Sequence, residues 1–279
     1  MGRGSRWAYV SAAVGLAAAL CTPASAQTAG GKYVAMGSSF AAGPVVTTSA
    51  DTPTDRCRRS TDNYPRQLAR KRGLNLVDVS CSGATTAHIL GAWAPFPAQL
   101  DALDANTQLV TVTIGGNDIG YMVLLGAGAC RTRAATSEAT AACTAFTPPS
   151  EDGYRKLEAQ LDLIGTEVRR RAPKARLVFV QYFSIVPEAL CPAVPLTPDQ
   201  AAEARALARR LAEVTAKSAR KSGADVLDLD KISADHHACA KAPWVNGSLT
   251  GPATDGVSWH PNLAGMTGAA VALDGMLKR

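Results

Sequence analysis

Five short runs of apolar and β-branched residues punctuate the chain. They are Lys32 to Met36, Leu74 to Val79, Leu109 to Ile114, Arg176 to Tyr182 and Asp225 to Leu229. The third and fourth are almost continuously apolar or β-branched, the pattern of strands covered on both faces. Between the runs the apolar period lengthens to that of helices. Tyr64 to Arg72 is a short one. Ser150 to Arg171 carries Tyr154, Leu157, Leu161, Ile164 and Val168 at helical spacing. Thr197-Pro198-Asp199-Gln200 has the form of a capping box with proline at the first helical position. It opens a helix predicted to run to about Lys221 and stop at Gly223, with Leu207, Leu211 and Val214 on one face. A last helix is predicted after Pro261, towards Leu277. Strands alternating with helices predict a three-layer α/β/α sandwich around a mostly parallel five-stranded sheet. No repeat, linker or composition shift divides residues 27–279, which read as one domain. Residues 44–62 and 120–149 are rich in Thr, Ala and Gly and are expected to be loops over the active face.

In such sheets a ligand sits beyond the carboxyl ends of the strands, and three polar stretches of this chain fall there. Tyr33 to Met36 breaks at Gly37-Ser38-Ser39, Leu74 to Val79 runs into Ser80-Cys81-Ser82-Gly83-Ala84, and Leu109 to Ile114 runs into Gly115-Gly116-Asn117-Asp118. A fourth stretch, Asp255-Gly256-Val257-Ser258-Trp259-His260-Pro261-Asn262, precedes the last helix. Taken singly, Gly-Ser-Ser is ordinary helix capping. Taken together, the stretches hold what ester hydrolysis needs. Ser39 is the candidate nucleophile, and a neutral imidazole at His260 is the candidate base. The backbone N–H groups of Ser39 and Gly83 and the side-chain amide of Asn117 are candidate oxyanion donors.

Composition narrows the compartment. Arg3 and Arg6, the apolar run Ala8 to Leu20 and Ala24-Ser25-Ala26 have the layout of a signal peptide spanning residues 1–26, cleaved after Ala26. Cys21 follows Leu20, too large a residue for a lipoprotein site. No later stretch has the length and apolarity of a membrane span, so an exported protein without stable membrane insertion is expected. The net charge of +6 falls to about +4 once Arg3 and Arg6 are removed. The remaining Lys and Arg are scattered, so nothing points to nucleic acid. Arg169-Arg170-Arg171 fits the end of a helix, where cations complement the dipole. Cys57, Cys81, Cys130, Cys143, Cys191 and Cys239 then form an even set, expected to be disulfides. Sequential pairing is the simplest of about fifteen possibilities.

These blocks resemble, in order and over the whole mature chain, the SGNH (GDSL-type) hydrolases. The six cysteines, Cys57-Arg58-Arg59-Ser60 and Tyr64-Pro65 further resemble the secreted, disulfide-bonded lipase and esterase branch of that family found in actinomycetes. The resemblance implies a flavodoxin-like sheet, a Ser39–His260 pair working without a cofactor or metal, and the bridges Cys57–Cys81, Cys130–Cys143 and Cys191–Cys239. It also implies lipid-like acyl esters as substrates, with transient contact at a lipid interface and a monomer as the default. The same chemistry on acetylated polysaccharide is the near rival. A non-catalytic lipid- or glycan-binding protein on this scaffold is the rival of another class.

Two positions depart from the family pattern. Ser38 stands where most members have Asp, so hydrogen bonding beside the nucleophile should differ. Val257 stands three residues before the histidine, where many members have an orienting Asp. In the branch that this chain resembles, a backbone carbonyl takes that place, and the Ser258 carbonyl is the candidate orienter, with Asp255 the alternative. Asp118 reads as a turn or capping residue, and His88 as either a pocket-lining residue after the glycine block or, more commonly for a lone histidine, a helix-surface one. Trp93, Phe96, Trp244 and Trp259 fit an acyl-site border or ordinary core equally well. Asp235-His236-His237-x-Cys239 is a poor metal site, because adjacent loop histidines rarely converge on one ion.

Overall fold

Tyr33, Val34, Ala35 and Met36 are completely buried and form the centre of the first strand, β1 (Lys32–Gly37). It pairs in parallel with β2 (Asn75–Asp78) on one side and β3 (Thr107–Thr113) on the other. Beyond β3 follow β4 (Arg176–Val180) and β5 (Asp225–Leu227), also parallel, giving the five-stranded order β2-β1-β3-β4-β5. This computed structural model describes residues 1–2, 30–135 and 143–278. The expected signal peptide therefore lies, apart from Met1 and Gly2, outside the described residues.

The helices are α1 (Ser39–Ala42), α2 (Tyr64–Arg72), α3 (Thr86–Leu90), α4 (Tyr121–Ala134), α5 (Glu151–Arg171), α6 (Pro198–Lys221), α7 (Leu229–Ile232) and α8 (Leu263–Met276). Parallel connections are right-handed, so the direction of each crossover fixes the face that its helix covers. The step from β1 to β2 runs one way and places α2 on one face. The later steps run the other way and place α5 and α6 on the opposite face, where they pack together. After β5, α8 returns to lie against α2. Both faces are thereby covered. Tyr33, Phe40, Tyr64 and Phe179 are at most 1% exposed, and full burial of such a ring is worth about 2–3 kcal/mol. The phenols of Tyr33 and Tyr64 find Thr111 Oγ1 and Thr113 Oγ1 on β3, each at 2.8 Å, which satisfies their polar tips inside the core.

The capping box is formed: Gln200 N donates to Thr197 Oγ1 and Thr197 N to Gln200 Oε1. Two expectations need correction. Residues 121–134, read as part of a loop, form α4, which packs on α6. Its sequence, Tyr-Met-Val-Leu-Leu-Gly-Ala-Gly-Ala-Cys, has glycines in its middle and apolar residues around much of its circumference. It therefore shows neither good propensity nor a polar stripe. Burial of Leu124, Leu125 and Ala129 holds it in the helical state instead. The fourth and fifth strands also end two residues early, at Val180 and Leu227; Gln181 N makes a last bond to Leu227 O at 3.2 Å, and Tyr182 lies beyond the ladder.

Three disulfides close segments of 24, 13 and 48 residues: Cys57–Cys81, Cys130–Cys143 and Cys191–Cys239. Loop closure of this size restrains the unfolded chain by about 3–4 kcal/mol per bridge in the chain-entropy picture. The first bridge ties the irregular 44–62 segment to the end of β2.

Candidate active site

The carboxyl end of β1 is built for a sharp exit. At Gly37 φ is +149°, and a Cβ there would lie 2.5 Å from the Thr113 carbonyl oxygen. That same oxygen accepts from Ser38 N at 2.9 Å. Gln99, buried as the first residue of the short helical turn Gln99–Ala102, grips the Gly37 peptide groups with its side-chain amide: Gly37 N donates to Oε1 at 2.7 Å, and Nε2 donates to Gly37 O at 3.0 Å. The chain then turns into α1 with Ser39 as its first residue, 6% exposed.

Ser39 Oγ lies 2.8 Å from His260 Nε2, and His260 Nδ1 lies 2.7 Å from the Ser258 carbonyl oxygen. A carbonyl only accepts, so Nδ1 carries the proton. Nε2 is then the bare nitrogen, able to accept from the Ser39 hydroxyl. The ring is set by Trp259, which takes a left-handed φ of +64°; that conformation costs a non-glycine residue about 1–2 kcal/mol. Its indole is buried, and its backbone N–H donates to Gly247 O at 3.1 Å, which holds the turn in place. Phe40 packs beside the imidazole, ring centres 4.9 Å apart. Burial pushes the His260 pKa down to about 4; the bond to Ser258 O opposes this and the Arg58 charge adds to it.

The glycine and asparagine blocks meet this pair. Cys81 N donates to Gly37 O at 3.0 Å, which brings the end of β2 against the end of β1. Gly83 has φ +84°, the left-handed conformation that glycine takes without a Cβ penalty. Among the described residues, neither Ser39 N nor Gly83 N has a protein acceptor. Asn117 Nδ2 donates one hydrogen to Ala84 O at 2.8 Å, which leaves its other N–H to point elsewhere. Asp118 receives Thr86 N at 3.1 Å on each oxygen and the Thr86 hydroxyl on one, capping α3 from a different segment. Burial raises its pKa.

Sequence reasoning missed Tyr182 and Gln99. The Tyr182 hydroxyl accepts Gly116 N–H at 3.0 Å and bonds Ser38 Oγ at 3.0 Å. Ser38, in the place of the usual Asp, thus ties the nucleophile turn to the asparagine block through a phenol. Burial pushes that phenol up to about 12. The one clue in the sequence was that Tyr182 ends the apolar run predicted as the fourth strand, at the carboxyl edge of the sheet. A lone glutamine such as Gln99 carried no signal.

Asp255 is not brought to the imidazole. Its Oδ1 accepts from Leu263 N at 2.7 Å, at the start of α8, and its carbonyl accepts from Asn246 Nδ2 at 2.7 Å. Asp255→Asn is accordingly expected to lower kcat/KM for a soluble ester by less than about tenfold, since it keeps an acceptor for Leu263 N and takes no orienting charge from the imidazole. A loss above a hundredfold with unchanged thermal midpoint would assign the orienting role to Asp255. His88 stacks on Trp93, ring centres 4.0 Å apart, and Trp93 is the nearest side chain to Gly83. Trp244 stacks on His236 instead, at 4.1 Å, while His237 Nδ1 accepts from Cys239 N. Among the described residues, no cluster of His, Cys, Asp and Glu has the makings of a metal site.

The chain matches the family model for GDSL-like lipase/acylhydrolases over residues 35–267. It is 36% identical to lipase 2 of Streptomyces coelicolor over 275 residues, which cover 91% of this chain and 90% of that protein. Among solved structures it resembles phospholipase A1 of Streptomyces albidoflavus, with a TM-score of 0.72 and 27% identity, covering 88% of this chain and 99% of that one. It also resembles the extracellular lipase of Streptomyces rimosus, with a TM-score of 0.70 and 29% identity over the same shares of the two chains. With its blocks in family order at the carboxyl edge of a parallel sheet, this chain belongs to the GDSL-like lipase/acylhydrolase family and is a lipase/esterase of that family.

Proposed function

We propose that the chain is exported, loses residues 1–26 by cleavage after Ala26, and works as a single hydrolase domain, residues 27–279, through a Ser39–His260 dyad. Ser39 Oγ attacks the acyl carbonyl while His260 Nε2 takes its proton. The resulting oxyanion is held by the N–H groups of Ser39 and Gly83 and by the Asn117 amide. The imidazolium, oriented by Ser258 O, returns the proton to the departing alkoxide, leaving an acyl-enzyme. Water, deprotonated by the same Nε2, then attacks that ester and frees the acid. No cofactor enters these steps.

The observation that carries this reading is the unbroken line Ser39 Oγ, His260 Nε2, His260 Nδ1, Ser258 O, with links of 2.8 and 2.7 Å. Acyl lipids are favoured over acetylated polysaccharide by an apolar cavity of about 210 Å³ beside the glycine block, lined by Val79, Trp93, Phe96, Pro97 and Ala98. That volume exceeds the needs of an acetyl group. The lipase and phospholipase relatives support the same substrate class.

A fluorophosphonate probe tests the dyad directly. The oxidised, mature protein should be labelled on the peptide containing Ser39, with labelling lost in Ser39→Ala and slowed in His260→Ala. A folded protein that takes no label has no activated serine, and the binding-protein reading then replaces this one.

A further inference from the structure

The segment from Asp55 to Ser60 crosses between the nucleophile turn and the glycine block, and it is fixed at its middle. Cys57 is bridged to Cys81, and Cys57 O accepts from both Ser82 N at 3.1 Å and Ser82 Oγ at 2.7 Å. The arginines that follow Cys57 have opposite fates. Arg59 is consumed by the structure: it pairs with Asp51 and Asp55 and donates to Ser80 O. Arg58 is exposed, and among the described residues its guanidinium has no partner. Its backbone sits at φ +53°, a conformation unfavourable for any residue but glycine, so the tethered loop holds it there against local preference.

Arg58 lies within electrostatic reach of His260, whose pKa its charge lowers. It also lines a cavity of about 190 Å³ together with Val45, Thr48, Thr54 and Arg59. This cavity borders the histidine loop, because Gly256 N donates to Val45 O at 2.9 Å. An unpaired cation at this place works against the reaction proposed above. Each time His260 accepts a proton, the imidazolium forms beside a like charge. A negative group seated on Arg58 would cancel that repulsion and would bring a charge-assisted hydrogen bond of its own. Guanidinium forks suit phosphate oxygens in particular.

We propose that Arg58 is a specificity-determining residue that binds a phosphodiester carried by the ester substrate close to the scissile bond. The inference rests on the ester-hydrolase reading and adds the polar half of the substrate to it. The phosphodiester occupies the Arg58 cavity while the acyl chain takes the apolar cavity lined by Cys57, Cys81 and Trp93; Arg59 lines both.

The test compares two soluble short-chain substrates with the same acyl groups, dihexanoyl phosphatidylcholine and dihexanoylglycerol, both below their aggregation concentrations so that no lipid surface contributes. The ratio of their kcat/KM values is the readout. Arg58→Gln should lower the ratio by about tenfold, the size of one charge-assisted contact, and Arg58→Lys should restore part of it. Lys174→Gln, which removes one positive charge near the amino end of β4, at the opposite edge of the sheet, should leave the ratio at the wild-type value. Fluorophosphonate labelling of each variant reports that it is folded and competent. If the wild type hydrolyses dihexanoylglycerol and the ratio is the same in Arg58→Gln, the assignment of Arg58 fails while the hydrolase reading stands. If the wild type hydrolyses neither substrate and takes no label, the hydrolase reading itself fails.

Discussion

Replacing His260 with alanine should lower kcat/KM for a soluble ester by about 10⁴- to 10⁶-fold, because the serine loses its base and the leaving group its acid in one change. The wild-type pH profile is the sharper test of the same residue. The folded-state pKa is about 4, against an ordinary 6.5, so the imidazole stays neutral where a free histidine would be half protonated. Activity should therefore be level from neutral pH down to about pH 5 and fall roughly tenfold per unit only below about pH 4. Stability follows the same group. Between 6.5 and about 4 the unfolded chain binds a proton at this site that the folded chain does not. The contribution of His260 to stability thus declines as pH falls through that window and changes no further below it. An acid limb centred near 6.5 would mean that the imidazole is open to water and not buried against Phe40. On the alkaline side, the Tyr182 phenol, at about 12, stays protonated through the working range and keeps its bonds to Ser38 and Gly116.

Asn117→Ala should lower kcat by about 10²- to 10³-fold, equivalent to about 3–4 kcal/mol, with KM changed by less than about threefold. An amide that donates to the developing oxyanion acts in the transition state and hardly at all in the bound ester. Its second role, donating to Ala84 O, predicts a modest loss of thermal midpoint as well. The two roles separate cleanly: a purely structural contact would cost stability without this split between kcat and KM. Equal loss in Asn117→Ala and a variant altered only at the loop surface would remove Asn117 from the oxyanion donors.

The sheet was legible because the runs that form β1, β2 and β3 each end in a polar, glycine-containing turn. Gly37, Gly83 and Gly115 fall at such ends, and the serine and asparagine blocks follow immediately. Long amphipathic helices such as α5 and α6 were equally plain, since their buried positions recur at helical spacing. The pattern failed where burial overrides it. The segment forming α4 lacks a polar stripe, and only packing on α6 shows why Gly126 and Gly128 sit inside a helix. It failed again where function depends on side chains from distant segments meeting. Gln99 reaches Gly37 across 62 positions and Tyr182 reaches Ser38 across 144. Neither has a local pattern, because what selects them is the shape of the turn that they hold. Asp255 erred in the opposite sense. It lay near enough to the histidine in sequence to be a candidate, but the backbone N–H at the start of α8 lies closer in space.

The proposed nucleophile leaves the first strand of the sheet, and its proposed base precedes the last helix, 221 positions later. A ribosome adding about 5–20 residues per second makes the serine roughly 11–44 s before it makes the histidine. Throughout that interval, and until α8 has docked against α2, the nascent chain holds a serine with nothing to activate it. The hydrolase proposed above is thereby kept inert until both the histidine and α8 have been made.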